Sequence, residues 1–431
     1  MKFKISESRR KGEWRWAAAL LLALAAGAPP AHALSKMRLA HTWGQVDFVF
    51  DSDAQRQQLE ANGTYVQGNA VPFDVDVDPR TGRVFVSMPA MMNGGAVTLA
   101  TVEDPAQVQS PRLVPYPNWS WHAGARGCDG LTSVFRIHVD RCDRLWVLDS
   151  GIVDIANTFT RRCPPQLVVF QLRSARVLVR HRFQTPEASC DEALLLTVVT
   201  EQLDGDWQCG NDAFAYVADA GAYALFVYSL RQNRSWRVAS DLFFPDVNAR
   251  EFSVAGTSMN LMDGVLGLAV SPPVGAACGS HLYFHALTSF QEGRVCTAVL
   301  HNASLFADGA NDADGAFSFI GRREGQSGAQ ASSSSGVLFF NPVNKYSINC
   351  WNQRRKYASP NLPAVEQDRE VLRFVTGLKV IPGDGKGRPE EVWAISNNAQ
   401  LLFTGTFRPN VNNTVNIVRG AVPALLAGVN C

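Results

Sequence analysis

Six times along this 431-residue chain, an apolar strand runs into a polar turn and out into a second strand carrying an aromatic residue. The clearest copy is residues 131–151, LTSVFRIHVDRCDRLWVLDSG, where 134–139 and 145–148 flank the turn Asp140-Arg141-Cys142-Asp143-Arg144. Phe, Val, Ile and Trp fit a strand, and a turn with two Asp between such runs reads as an antiparallel hairpin. The other copies lie at 72–89, 195–221, 264–287, 336–351 and 375–398. Aligned on their second strands at Arg83, Arg144, Phe214, His281, Ser347 and Glu391, they recur at about 61, 70, 67, 66 and 44 residues, as large repeat units do. The runs are apolar at nearly every position rather than alternating, so both faces of each sheet are covered. Paired β-sandwiches would show alternation. Further strands behind each hairpin give each unit room for four. The pattern therefore predicts an all-β, six-bladed propeller of four-stranded blades. Ring closure asks for a strand from one terminus, and residues 46–50 are placed to supply it.

The chain opens with Lys2, Lys4, Arg9, Arg10, Lys11 and Arg15, then an apolar run over 16–28 and Ala31-His32-Ala33. A basic head, an apolar middle too short to span a bilayer and an A-x-A end describe a signal peptide cleaved after Ala33. The organisation expected is a signal peptide at 1–33, an N-terminal strand and bridge at 34–68, the propeller at 69–409 and a tail at 410–431. Residues 52–62 read as a helical bridge. The segment 325–336, GQSGAQASSSSG, reads as a mobile loop between the fourth and fifth units.

Without its first 33 residues the chain carries 34 basic and 37 acidic residues, a formal charge near −3. No basic block stands out, so a nucleic-acid footprint is absent, and no later segment is long and apolar enough to suggest a membrane span. A secreted, extracellular protein is expected. Sequons at Asn62, Asn118, Asn233, Asn302 and Asn412 agree with that expectation. Nine cysteines in an oxidising compartment predict disulfides with at least one thiol left over. No C-x-x-C pair is present. His281 and His285 lie in a strand about 13 Å apart, too far to share a metal. No cofactor is implied, and the oligomeric state is not readable.

The segment 116–151, with YPNWSWH, Gly127-Cys128, GLTSVFRIHVD and DRLWVLDSG, resembles the signature of the yellow and major royal jelly protein family of insects. Supporting pieces follow in order: Cys163-Pro164-Pro165, AYVADAG at 215–221, LYFHAL at 282–287, GVLFF at 336–340 and Asn349-Cys350-Trp351-Asn352. The resemblance implies a secreted six-bladed propeller. It also implies one of three roles: dopachrome conversion in pigmentation, binding of biogenic amines, or structural duty in cuticle or eggshell.

A small catechol or amine would sit in the central funnel, where second strands end. Those ends carry Asp149, Asp219 and Asn397. An Asp before Ser-Gly or Ala-Gly is also a turn former. By resemblance Asn397, with Thr376 of the same unit, is a ligand contact, although Ala399 stands where amine binders carry an aromatic. Trp121 and its neighbour Trp119 are either packing residues or part of the funnel wall. His122 and Asp74 are the candidate bases for a tautomerisation, with Asp76 beside Asp74 on the same first strand.

The blade order constrains the cysteines. Cys128 and Cys163 fall on one face of the second unit, and Cys142 and Cys209 on the opposite face of neighbouring units. Those two pairs are expected as disulfides, with Cys350–Cys431 anchoring the tail and Cys296 left as a buried free thiol.

Overall fold

The structure, a computed structural model, describes residues 34–183, 192–203, 209–309, 313–409, 411 and 414–431. Six four-stranded antiparallel sheets make a six-bladed propeller. The first strands, around the axis, are Asp74–Val77, Val134–Val139, Leu195–Gln202, Val265–Val270, Ser327–Ser332 and Phe374–Ile381. The second strands are buried along almost their whole length, as Arg144–Asp149 and Ala213–Asp219 show. That is why the sequence reads as continuous apolar runs instead of an alternation. Between blades two and three, for example, Trp146, Leu148, Val169, Val198, Ala215, Phe226 and Tyr228 form one packed layer.

The ring is closed by the N-terminal strand Arg38–Trp43, which pairs antiparallel with Val415–Ala421 as the outermost strand of blade six. This corrects the assignment of closure to residues 46–50. That segment makes only a parallel bridge, Phe48 to Leu113, on the outer strand of blade one. The two pieces together staple the seam, one on the last blade and one on the first. Glu366 of blade five anchors the start of the closing segment, accepting from Ser35 N, Ser35 Oγ, Lys36 N and Met37 N. Helix Asp53–Ala61 follows, capped by the Ser52 side chain, which accepts from Gln55 N.

Blade five needs two corrections. The Gly/Ala/Ser-rich stretch contains its first strand, Ser327–Ser332, buried over its first four residues. The run 337–342 is therefore the second strand and Ser347–Asn352 the third. The segment expected as a tail also contributes: Val415–Ala421 is the third strand of blade six.

Disulfides join Cys128 to Cys163 and Cys142 to Cys209, as the blade order predicts, and Cys350 to Cys431, which anchors the chain's last residue. Cys296 is not free. It pairs with Cys278, because the third strand of blade four ends beside the loop that enters the second. Cys190 and Asn412 lie outside the described residues. Among the described residues no helix is long and apolar enough to cross a membrane.

Candidate functional site in the axial channel

In five blades the ladder between first and second strands shifts register near its start, at Val134/Ile137, Leu195/Thr197, Val265/Gly267, Ser327/Gln330 and Val375/Gly377. A bulge re-aims side chains. Here it interrupts the two-residue alternation at the axis and divides the channel in two. At the strand-start end, Phe73, Phe135, Leu196 and Leu266 belong to one apolar cluster, with the two phenylalanines edge to face at 6.1 Å. Further along, a cavity of about 110 Å³ is enclosed by all six first strands and lined by polar residues including Asp76, Arg136, His138, Thr197, Gln330 and Lys379. That is somewhat less than the about 150 Å³ of a cavity that takes up benzene.

The charges in this cavity are held by specific partners. Asp74, fully buried, accepts from Lys379 Nζ at 2.8 Å and from Ile137 N at 3.0 Å. Its carboxylate fits because residue 377 is glycine; a Cβ there would lie within bonding distance of Asp74 Oδ1. Asp76 accepts from Val77 N and Val139 N, both at 2.8 Å. Burial pushes its carboxyl up to about 7, against the pull of Lys379 and of those two N–H groups. Burial and the Lys379 charge pull the His138 imidazole down to about 3, so it is neutral at physiological pH. Arg136 reaches from blade two to blades five and six, donating from Nη2 to Gly328 O at 2.6 Å and Thr376 O at 2.8 Å.

Of the residues singled out from sequence, Asn397 and Thr376 are brought together. Asn397 Nδ2 donates to Thr376 Oγ1 at 3.1 Å and to Pro72 O at 2.7 Å, and its Oδ1 accepts from Ala399 N. The amide therefore ties blade six to the entry of blade one, next to the Thr376 carbonyl that receives Arg136. Asp149 accepts from Thr132 N, Ser133 N, Gly151 N and Gln166 Nε2, and Asp219 from Leu194 N, Gly221 N and Ala222 N. Both organise the turns at the ends of their second strands. Trp121 is buried between the guanidinium groups of Arg126 and Arg180, at 4.8 and 5.4 Å. His122 is sealed away from the channel, with Nε2 on Tyr116 O at 2.9 Å and burial pulling its pKa down to about 4. Asp76 lines the axial cavity beside the Asp74–Lys379 pair.

Sequence reasoning missed Arg136, His138, Gln330 and Lys379. A signal was present: Arg136, His138 and Lys379 are charged or titratable residues inside otherwise apolar first strands.

Fold and cavity define a class: a six-bladed propeller whose axis holds a small, charged chamber. Residues 132–431 match the family model described as Major royal jelly protein, and the chain belongs to that family, which includes the yellow proteins. The dopaminechrome tautomerase of Drosophila melanogaster is 34% identical over 375 residues, covering 86% of this chain and 78% of that protein. Major royal jelly protein 9 of Apis mellifera is 31% identical, covering 91% and 90%. The yellow protein of Drosophila subobscura is 31% identical and covers 90% of this chain, which spans 66% of that protein's length.

Proposed function

We propose that this chain is a secreted propeller of the melanin pathway that takes a small catechol-derived aminochrome into its axial channel and tautomerises it. The similarity to a dopaminechrome tautomerase over most of both chains supports this reaction class. The observation that carries the assignment to the channel is Asp76, a buried carboxyl with a pKa near 7 on the wall of a polar cavity.

Aminochrome tautomerisation moves hydrogens from ring carbons to quinone oxygens, with no net gain or loss of electrons. It needs a base that is ionised at neutral pH yet strong enough to take a proton from carbon. Asp76 meets both demands because burial has raised it. The Asp74–Lys379 pair supplies a fixed cation beside it. The signal-like N-terminus, the four disulfides and the family membership support export. The sequons at Asn62, Asn118, Asn233 and Asn302 lie on exposed residues, as glycosylation in the secretory route requires.

The test is to mix purified mature protein with dopaminechrome and dopachrome and follow loss of the aminochrome absorbance. Acceleration over buffer is expected. The rate should fall about tenfold per pH unit below pH 7, where Asp76 takes up its proton, and level off above it. Asp76→Asn should lower kcat by about 10²–10⁴-fold, the usual contribution of a positioned base. No acceleration by the wild-type protein would leave the chain as a structural protein of cuticle or eggshell.

A further inference from the structure

Arg136 is more than nine-tenths buried and lines the axial cavity. Its hydrogen bonds all leave from one nitrogen, Nη2, and all end on neutral peptide oxygens, Gly328 O and Thr376 O. Among the described residues no carboxylate pairs with it. Asp74, whose charge acts on it, makes no hydrogen bond to it: Asp74 Oδ2 accepts from Lys379 Nζ and Ile137 N, and Oδ1 has no hydrogen-bond partner. A buried guanidinium without an anion is costly, and burial of a charge is normally compensated by a partner of opposite sign. The two carbonyls fix the plane of the group without neutralising it. They are supplied by bulged segments of blades five and six, so the ring itself holds the guanidinium in place. Gln330 adds a second polar group on the same wall: it is buried, its Nε2 donates to Tyr283 O, and its Oε1 has no hydrogen-bond partner.

We propose that Arg136 is the oxyanion-binding residue of the axial site: its unused Nε and Nη1 hydrogens, beside Lys379, receive the negative oxygen that forms on the ligand when a carbon-bound proton leaves. This deepens the tautomerase reading and rests on it.

The charge count favours that role over simple ligand capture. The titratable and charged groups around the cavity are Asp74 and Asp76 on the first strand of blade one, Arg136 and His138 on that of blade two, and Lys379 on that of blade six; behind blade four's first strand His285, which feels Arg136, is held with Arg323 on Glu292, an internally compensated cluster. His138 is neutral. Before reaction the two carboxylates, Asp74 and ionised Asp76, balance the two cations, Lys379 and Arg136. The C–H bond then breaks and its proton goes to Asp76. The electron pair forms a C=C bond and pushes charge onto the quinone oxygen. Asp76 has become neutral as the oxygen becomes anionic, so Arg136 faces an uncompensated anion only from the transition state onward. That oxygen then takes the proton from Asp76, which restores the carboxylate, and the same exchange at the neighbouring ring carbon gives the dihydroxyindole isomer. Binding that strengthens only as the reaction proceeds raises kcat.

The experiment compares wild type with Arg136→Lys, which keeps the charge and loses the fork, on two substrates: dopaminechrome, which lacks a carboxylate, and dopachrome, which carries one. For both, kcat should fall about 10²–10³-fold with KM within about threefold, as for loss of an oxyanion donor. Unchanged kcat on both overturns the proposal. A KM rise confined to dopachrome with kcat intact also overturns it, since Arg136 would then be reading the substrate carboxylate. A second measurement does not depend on turnover or on the variant's fold. Calorimetry of wild-type protein with benzoate, a non-reacting aromatic anion, should show binding about tenfold tighter at pH 6 than at pH 8, because protonation of Asp76 leaves the cavity with a net positive charge. Benzoate binding without turnover would fault the tautomerase reading and keep the anion site. Turnover with no benzoate binding at either pH would fault the anion site and keep the tautomerase.

Discussion

A histidine can be kept neutral by burial and still shape a protein's response to pH. His122 has its pKa pulled from 6.5 to about 4 by desolvation, only partly offset by its bond to Tyr116 O. A depressed folded-state pKa means that the unfolded chain binds the proton first. The resulting stability is present above pH 6.5 and is lost as pH falls toward 4. The full shift corresponds to about 3 kcal/mol. Replacing His122 by Gln removes the titration, so between pH 6.5 and 4.5 the wild-type protein should lose about 2–3 kcal/mol more stability than the variant in urea melts. Equal losses would mean that His122 is not buried as described. Asp76 has the opposite sign. Its raised pKa makes stability fall as pH climbs from 4 to 7, which is a cost carried at the site itself.

At the scale of strands, the closing segment gives the sharpest prediction. Glu366 gathers donors from residues 35–37, three backbone N–H groups and one hydroxyl. Glu366→Ala leaves those N–H groups without a buried acceptor and should cost about 1–3 kcal/mol. Deleting 34–43 should cost far more, since it uncovers the whole edge of Val415–Ala421. A melting temperature unchanged by the deletion would contradict ring closure by this strand. The elements that were legible in the sequence are those whose own residues state their burial. The hairpin at Val134–Val139 and Arg144–Asp149 is buried on both faces and reads so. Ser327–Ser332 was not legible, because its Ser, Gly, Ala and Gln residues elsewhere mean a loop and carry no sign of their burial. The same limit applies to the site. Asn397 and Thr376 are paired with each other but do not line the axial cavity, and Arg136 crosses the channel only because a bulge re-aims it, which leaves no local mark in VFRIHV.

For the whole molecule, the disulfides divide the labour. Cys128–Cys163 and Cys278–Cys296 act inside single blades, while Cys142–Cys209 joins two neighbours on the opposite face from the first. Cys350–Cys431 ties the chain end to blade five across 81 residues, beside the seam that the N-terminal strand closes on blade six. Constraining a loop of that length in the unfolded chain is worth about 2–4 kcal/mol. Cys431→Ser should therefore lower stability by that amount in calorimetry, with the other three bridges intact by non-reducing peptide mapping. A loss below 0.5 kcal/mol would show that the strand pairing alone holds the seam.

The strand that completes the last blade is the first one made. As the chain leaves the ribosome, Arg38–Trp43 appears about 370 residues before its partner Val415–Ala421. At ordinary synthesis rates of about 5–20 residues per second, that is an interval of about 20–75 s. During it, the first five blades can assemble in order, but the circle has no last member, and the early strand waits for an edge that does not yet exist. The ring can close only once the third strand of the last blade has been made, and until then the unpaired early strand is open to other chains.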